Sequence, residues 1–363
     1  MNNQIRSCAA GAAPKEGHRN SKGHWKKTAP SLLLVLAMLL SLSACGKDGK
    51  DTTKEPEAEP FVFRPHVYSC FMEAGYSEEY REAIFHMIDA LQEGADTFAC
   101  PSEKIYKYCM DDAVQNQLYP VACMQITGKS NDGSKPYEDG VGHIYYTKSK
   151  EDFLERQTNF QREIESIMNA YIKTDDSDYE KCLAMYDYMV SHYSYDYDRE
   201  IDAAEDGSFC ATLKYKKGVC VDFSAMYAYL LMECGVDAIS VANNGVDGAG
   251  YHAWTYVKID GKGYHIDPTW GLKRDPSDPS FRLDYFMMTD EDRAASGYPP
   301  EMLEIYLLRV FHADEYDKYK FTADDNRYRL PEGSYCTRYD TKKNILYYTN
   351  DSIDSQEHTF RYE

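Results

Sequence analysis

A cysteine opens one of the most regular stretches of the sequence. Cys220 stands near the start of residues 218–235, where apolar side chains recur at the spacing of one helix face. Backbone N–H groups and the helix dipole favour an anion at a helix start, so a thiol there ionises more readily and becomes a nucleophile. For a cysteine taken alone, a small buried hydrophobic residue is the better interpretation. The choice therefore depends on residues further along the chain.

A histidine and an aspartate follow on two segments that are predicted to pair. Residues 251–270 alternate in polarity as two strands joined at Asp260-Gly261, a strong two-residue hairpin signal. With that turn, the numbers of opposed residues sum to 521, and His252 and Asp267 share one face, one diagonal step apart. A three-residue loop would place them on opposite faces. The two-residue turn therefore predicts that their side chains meet.

The ordered set Cys220, His252 and Asp267 has the residue types that nucleophilic acyl chemistry requires. The imidazole takes the thiol proton and later protonates the leaving amine, and the carboxylate holds the imidazole in the right tautomer. The backbone N–H of Cys220 can donate to an oxyanion. A second oxyanion donor is needed, and the sequence does not assign one.

Other residues near this set are interpreted as structural or left open. His265 shares the strand face of Asp267 but sits opposite Tyr256, farther from the helix start, and we treat it as structural. Trp254 and Trp270 either wall the site or pack in the core. No CxxC or HxxxH spacing supports zinc. We predict no metal and no cofactor.

The blocks that carry these residues resemble the core of the transglutaminase-like superfamily. The matching residues are Gly218-Val219-Cys220, His252-Ala253-Trp254 and Asp267-Pro268-Thr269-Trp270. The resemblance covers residues 178–290 and implies a papain-like core in which Cys220 is the nucleophile, His252 the base and Asp267 the orienting acid. That superfamily includes protein cross-linkers, cysteine peptidases, glycan-releasing amidases and inactive binding copies. The resemblance is therefore more specific for the fold than for the reaction.

Charge and composition limit the partners. Among 363 residues, 60 acidic side chains outnumber 40 basic ones, for a formal net charge of -20. Phosphate contacts need basic patches, so we predict no nucleic-acid binding. A hydrophobic fraction of 43% allows the chain to bury a sizeable core.

The N-terminal residues resemble a bacterial lipoprotein signal. Residues 31–42 form an uncharged apolar run that is too short to span a bilayer, and basic residues precede it. Small residues then lead to Cys45, so we predict that residues 1–44 are a signal peptide and that Cys45 is lipidated. An ordinary secretion signal with a chance cysteine is the alternative. The polar residues 45–60 are predicted as a flexible tether on the extracytoplasmic face of the cell membrane.

The remaining residues divide into three predicted parts. Residues 61–150 form an N-terminal accessory lobe, 151–300 the catalytic core and 301–363 a β-rich extension with a hairpin at 334–349. The other predicted elements are helices at 77–94, 102–118, 151–172 and 179–192 and a strand at 141–148.

These observations predict an α+β fold with the nucleophile helix packed on an antiparallel sheet. The predicted activity is cleavage of amide or peptide bonds through a thioester acyl-enzyme, with protein, peptide or cell-wall material as substrate. Hydrolysis is slightly favoured over acyl transfer, because water is abundant outside the cell and no amine-binding feature is visible. The alternative is a catalytically inactive module that binds peptide or cell-wall glycan. A purely structural envelope protein is a third possibility, but it leaves the triad unexplained.

Overall fold

Apolar periodicity and polar caps set the helices. The computed structural model describes residues 59–73, 76–130, 133–303 and 321–363; the predicted signal peptide, Cys45 and most of the tether lie outside the described residues. Ser149 and Ser177 each accept a hydrogen bond from the first turn of the helix that follows. The helices are α1 (Cys70–Glu73), α2 (Glu78–Glu93), α3 (Glu103–Cys109), α4 (Asp112–Leu118), α5 (Lys150–Tyr171), α6 (Asp178–His192), α7 (Ser208–Tyr215), α8 (Cys220–Glu233), α9 (Pro268–Gly271) and α10 (Asp290–Ala295).

Most of the predicted helices are confirmed, but one of them is divided into two. The predictions at 77–94, 151–172 and 179–192 correspond to α2, α5 and α6. The single helix predicted at 102–118 is wrong, because Asp111 interrupts it. Its carboxylate accepts from the N–H of Ala113 and caps a new helix, α4.

The strands form several small sheets. Within the described residues they are β1 (Thr97–Ala99), β2 (Ile126–Thr127), β3 (Tyr137–Glu138), β4 (Val141–His143), β5 (Tyr145–Tyr146), β6 (Ser194–Tyr195), β7 (Lys217–Gly218), β8 (Asp237–Asn243), β9 (His252–Ile259), β10 (Lys262–Ile266), β11 (Phe281–Arg282), β12 (Tyr335–Asp340), β13 (Ile345–Asn350) and β14 (Asp354–Arg361). The strand predicted at 141–148 is divided into β4 and β5, which pair in different sheets.

The centre of the fold is α8 lying on the antiparallel sheet β10-β9-β8. Helices α4, α6, α7 and α9 contact its other sides. The sequence predicts one apolar face for α8, but the helix is buried on every side: all its residues from Phe223 to Glu233 are buried. Each large apolar side chain removed from water in this way contributes about 1.5–3 kcal/mol. The helix that begins with Cys220 is therefore held firmly.

The described residues from 59 onward make one compact unit, and one hydrophobic cluster among them runs from Phe63 to Tyr362. The predicted hairpin at 334–349 is confirmed as β12 and β13, and β14 adds a third strand that the sequence analysis missed. Strand β11, which follows α9 along the chain, pairs with β12 and completes this four-stranded sheet. In the part of the chain that the structure describes, no helix has both the length and the apolar character needed to cross a bilayer.

Candidate active site

Cys220 is the first residue of α8, as its position before the apolar run predicts. The backbone N–H of Val219 donates to the Asp222 carboxylate at 2.9 Å, and the carbonyl of Val219 accepts from Asp222 and Phe223 at 3.0 Å each. The N–H of Cys220, the first residue of the helix, has no acceptor within the helix. The N–H of Cys220 is thus available to an oxyanion. Cys220 is a free thiol and its residue is 6% exposed.

The chain approaches Cys220 through a crowded glycine. A Cβ at Gly218 would lie 2.7 Å from the hydroxyl oxygen of Thr212 and 3.2 Å from the carboxylate of Asp222. Strand β7, which contains Gly218, also pairs in parallel with β6, where Tyr195 is its partner. Only a residue without a side chain fits here without a local shift, so the entry to α8 depends on glycine.

The hairpin that carries the histidine has the predicted register. Asp260 and Gly261 both have positive φ, 50° and 76°, as a two-residue primed turn requires. The pairs run from Lys262 opposite Ile259 to Ile266 opposite Thr255, and in each pair the residue numbers sum to 521. The register argument from the sequence is confirmed.

The return strand is shorter than predicted. It ends at Ile266, and Pro268–Gly271 forms the short helix α9 instead of continuing the strand to residue 270. Proline lacks a backbone N–H and suits the first position of a helix. Asp267 caps α9, because its Oδ1 accepts from the N–H of Trp270 at 3.3 Å. This leaves Oδ2 of Asp267 for other partners.

Asp267 and His252 are in direct contact. The Nε2–H of His252 donates to Oδ2 of Asp267 at 2.6 Å, and Asp267 is fully buried. Burial alone lowers the pKa of His252, but the charge of Asp267 and hydrogen bonds to Asp267 and Cys220 outweigh it and raise the pKa to about 9. Since Nε2 is engaged by the carboxylate, Nδ1 is the ring nitrogen left for the thiol of Cys220.

An arginine that the sequence analysis did not single out completes this set. Nη1 of Arg293, from α10, donates to Oδ2 of Asp267 at 3.1 Å, and both side chains are 0% exposed. Burial raises the pKa of Asp267, but the charge and hydrogen bond of His252, together with the charge of Arg293, reverse the effect, so the pKa is lowered. Asp267 is held as a carboxylate between two cations. The sequence gives no indication of this role for Arg293 beyond its place in the block TDEDR, residues 289–293.

The two tryptophans have different positions. Trp270 stacks on the imidazole of His252, with ring centroids 4.6 Å apart and 9° between the planes, and so walls the site. Trp254 is fully buried, and its indole N–H donates to Nδ1 of His265 at 3.0 Å. His265 in turn donates from Nε2 to Asp290 at 3.0 Å. His265 lies opposite Tyr256, as predicted, and both of its ring nitrogens are engaged away from Cys220.

Access to the thiol is narrow. Cys220 and His252 are each 6% exposed, and Cys220 packs with Ala242, Ala253 and Tyr251. A cavity of about 540 Å³ lies elsewhere, lined by residues of α10 and of the segment 323–332, and none of the three predicted site residues lines it. Only a slender group could therefore reach the thiol. Within the described ranges, no group of three or more His, Cys, Asp or Glu side chains could hold a metal ion.

The comparison with protein families matches this part of the chain. The sequence model of the transglutaminase-like superfamily matches residues 165–268. The chain contains a transglutaminase-like domain in this region. The matched part of this transglutaminase-like domain includes Cys220, His252 and Asp267 and ends before Arg293. The predicted α+β class, with the cysteine helix on an antiparallel sheet, is confirmed.

Two solved structures are similar to parts of this chain. One is a "putative cysteine protease" from Cytophaga hutchinsonii, 18% identical over 30% of this chain and 37% of that chain, with a TM-score of 0.26. The other is a "TGase", 24% identical over 36% of this chain and 35% of that chain, with a TM-score of 0.27. Each alignment spans well under two thirds of the solved structure. Among curated proteins, none matches the chain.

Proposed function

We propose that this protein is an enzyme that cleaves amide or peptide bonds through a thioester on Cys220, with hydrolysis favoured over acyl transfer. His252 holds the proton that it has taken from the thiol while the sulfur attacks the carbonyl carbon, and this proton goes to the leaving amine as the C–N bond breaks. Water then attacks the thioester, returns a proton to the sulfur through His252 and releases the acid. The N–H of Cys220 donates to the oxyanion in both steps.

One observation carries the proposal: His252 lies between a thiol at a helix start and a buried carboxylate. The 2.6 Å hydrogen bond to Asp267 fixes the ring, and the pKa of about 9 makes the imidazole a stronger proton acceptor than an ordinary histidine. A small buried hydrophobic cysteine, the simpler interpretation of Cys220, would not account for an ionised carboxylate and a basic imidazole built beside it.

The site of action that we propose is the outer face of the bacterial cell membrane. Support comes from the apolar run at 31–42, the small residues before Cys45 and the polar tether at 45–60. Substrates in that place are proteins, peptides or cell-wall material. Mass spectrometry of the mature N-terminus tests this part: lipid on Cys45 supports it, and a chain cleaved elsewhere without lipid contradicts it.

The reaction is tested with a library of peptide amides in H₂¹⁸O, with and without cadaverine as an amine acceptor. The expected products are acids with one ¹⁸O, formed by the wild type and absent with Cys220→Ala. Cadaverine adducts in place of acids would show that the reaction is acyl transfer and not hydrolysis. A wild type that leaves the library intact, or a Cys220→Ala variant that cleaves it equally, would overturn the proposal. The first of these results would favour the binding module.

A further inference from the structure

One oxygen atom serves two cations at the base of the site. Oδ2 of Asp267 accepts from Nε2 of His252 at 2.6 Å and from Nη1 of Arg293 at 3.1 Å. Both hydrogen bonds are charge-assisted because the acceptor is an ionised carboxylate, and such bonds are shorter and stronger than neutral ones. The position of the carboxylate is therefore set by Arg293 as well as by its own backbone.

The guanidinium of Arg293 lies in an aromatic cage. Its Cζ is 3.9 Å from the ring centroid of Trp254, 4.8 Å from that of Trp270 and 5.3 Å from that of Tyr298. Its Nε and Nη2 have no hydrogen-bond partner among the described residues. The ring faces partly replace those partners through cation–π attraction. Trp270 links the cage to the site, since it also stacks in parallel on His252.

A fully buried guanidinium with two unpaired nitrogens is costly to fold. An apolar side chain of similar volume would often be as stable or more so. Packing therefore does not explain Arg293. What it does touch is the carboxylate that orients the imidazole.

We propose that Arg293 is a positioning residue of the site. It holds the carboxylate of Asp267 in place for His252 and offsets part of the negative charge of that carboxylate, which limits how basic the imidazole becomes. This inference rests on the proposed function. Arg293 does not contact the thiol and acts through Asp267. Without it, Oδ2 would lose one of its two donors and the full charge of the carboxylate would act on His252.

The other titratable groups around this set cannot replace the positive charge. The groups whose charges act on Asp267, His252 or Arg293 are Cys220 on α8, Tyr186 on α6, His265 on β10 and the tyrosines Tyr285 and Tyr298. Burial lowers the pKa of His265, which keeps it neutral at pH 7. Loss of Arg293 therefore removes a positive charge that no neighbour supplies.

The helix that carries Arg293 has independent anchors. Asp290 accepts from His265 at 3.0 Å, and the side chain of Arg329 pairs with Asp292 at 2.9 Å. Thr289 and Asp292 also form a reciprocal cap at the start of α10. Arg329 supports α10 without touching Asp267, so Arg329→Met is a matched control for Arg293→Met.

The experiment titrates the ring of His252 by NMR in protein labelled at histidine. Removal of a nearby positive charge raises the pKa of its neighbours, so Arg293→Met and Arg293→Gln should raise the pKa of His252 by about one unit above the wild-type value. Arg293→Lys keeps the charge and should stay close to the wild type. Arg329→Met should not change the titration. Thermal unfolding of each variant shows whether the fold is retained.

Two results would overturn the inference. One is an unchanged His252 titration in the neutral variants at position 293. The other is unfolding of both neutral variants, which would make the role structural. The proposed function is measured separately, as thioester formation on Cys220 in the wild type. A wild type that forms no thioester, with a His252 titration that still responds to Arg293, would refute the function and leave the electrostatic role of Arg293 standing.

Discussion

The indole of Trp270 lies nearly parallel to the imidazole of His252, with ring centroids 4.6 Å apart and 9° between the planes. The two residues meet because α9 begins directly after Asp267, whose Oδ1 accepts the N–H of Trp270. One turn of helix thus supplies both the carboxylate that binds one ring nitrogen and the wall on which the ring rests. The imidazole is held at its edge and on its face.

Removal of this wall should slow acylation without loss of the fold. Stacked aromatic pairs contribute about 0.5–1.5 kcal/mol, so Trp270→Ala is expected to lower the rate of Cys220 acylation by about tenfold. Trp270→Phe keeps a flat ring and should retain most of the rate. The measurement is single-turnover labelling by an acyl probe. Equal rates for all three proteins would contradict a role for the stack.

The alkaline limit of activity follows from the protonation of His252. Its pKa is raised to about 9, so the imidazolium that protonates the leaving amine is present below that pH and lost above it. Activity should therefore fall as the pH rises through about 9. In Asp267→Asn, the burial that lowers the pKa of His252 is no longer opposed by the carboxylate. Its alkaline limit should move below pH 7, with a rate loss on the order of 10⁴-fold.

A pH–rate profile of peptide-amide hydrolysis checks both statements. Ser224→Ala is a control, because Ser224 is buried on α8 and bonds to Ser240 and the carbonyl of Trp254, away from the triad. It should keep the alkaline limit of the wild type. An Asp267→Asn profile that coincides with the wild type would contradict the assigned role of the carboxylate.

The close approach at Gly218 predicts a steric effect with a specific rescue. Gly218→Ala places a Cβ 2.7 Å from the hydroxyl of Thr212 and should destabilise the protein by about 1–3 kcal/mol, with slower labelling of Cys220. Thr212→Ala removes the atoms that clash. The double variant should therefore be more stable than the sum of the single changes predicts, as measured by urea unfolding. Strict additivity would show that the two positions do not collide.

A buried carboxyl at the far end of α8 predicts a pH-dependent stability. Burial raises the pKa of Glu233 from 4.5 to about 8, although hydrogen bonds from the hydroxyl of Tyr229 and the backbone N–H of Arg64 oppose the change. The folded state therefore binds this proton more tightly than the unfolded state. The stabilisation is fully present below pH 4.5 and is lost as the pH rises to about 8. The expected loss is a few kcal/mol, at about 1.4 kcal/mol for each unit of pKa difference.

Urea unfolding at several pH values measures this effect. Glu233→Gln should show a smaller fall in unfolding free energy between pH 5 and 8 than the wild type. Glu165→Gln should reduce the fall by a smaller amount, because Glu165 is only half-buried but its charge contributes to the raised pKa of Glu233. The same pH dependence in Glu233→Gln and the wild type would assign the effect to another group.

The contact between His252 and Asp267 could be predicted because it depends on local geometry. An Asp-Gly turn with positive φ at both residues fixes the register of the hairpin, and the register fixes which side chains share a face. Cys220 could likewise be placed at a helix start from the apolar spacing that follows it. These inferences needed no knowledge of how distant segments pack.

Arg293 could not be found in this way. It reaches Asp267 from 26 residues further along the chain, and the placement of α10 depends on the contacts of His265 with Met288 and Asp290. The same limit explains α8, which the sequence predicts as amphipathic and which the fold covers on all sides. In both cases the deciding contacts are made by segments that are distant in sequence, and a periodic pattern carries no information about them.

The most direct test of the convergence of Cys220, His252 and Asp267 is the alkylation rate of Cys220 by iodoacetamide at pH 7, compared with that of Cys70 in the same molecule. Cys70 is a half-buried free thiol. Burial and the Asp237 carboxylate raise its pKa to about 12, so it should react slowly. Cys220 is less exposed, yet it should react at least about tenfold faster, and His252→Ala should abolish the difference. A Cys220 that reacts no faster than Cys70, or as fast in His252→Ala as in the wild type, would contradict the account.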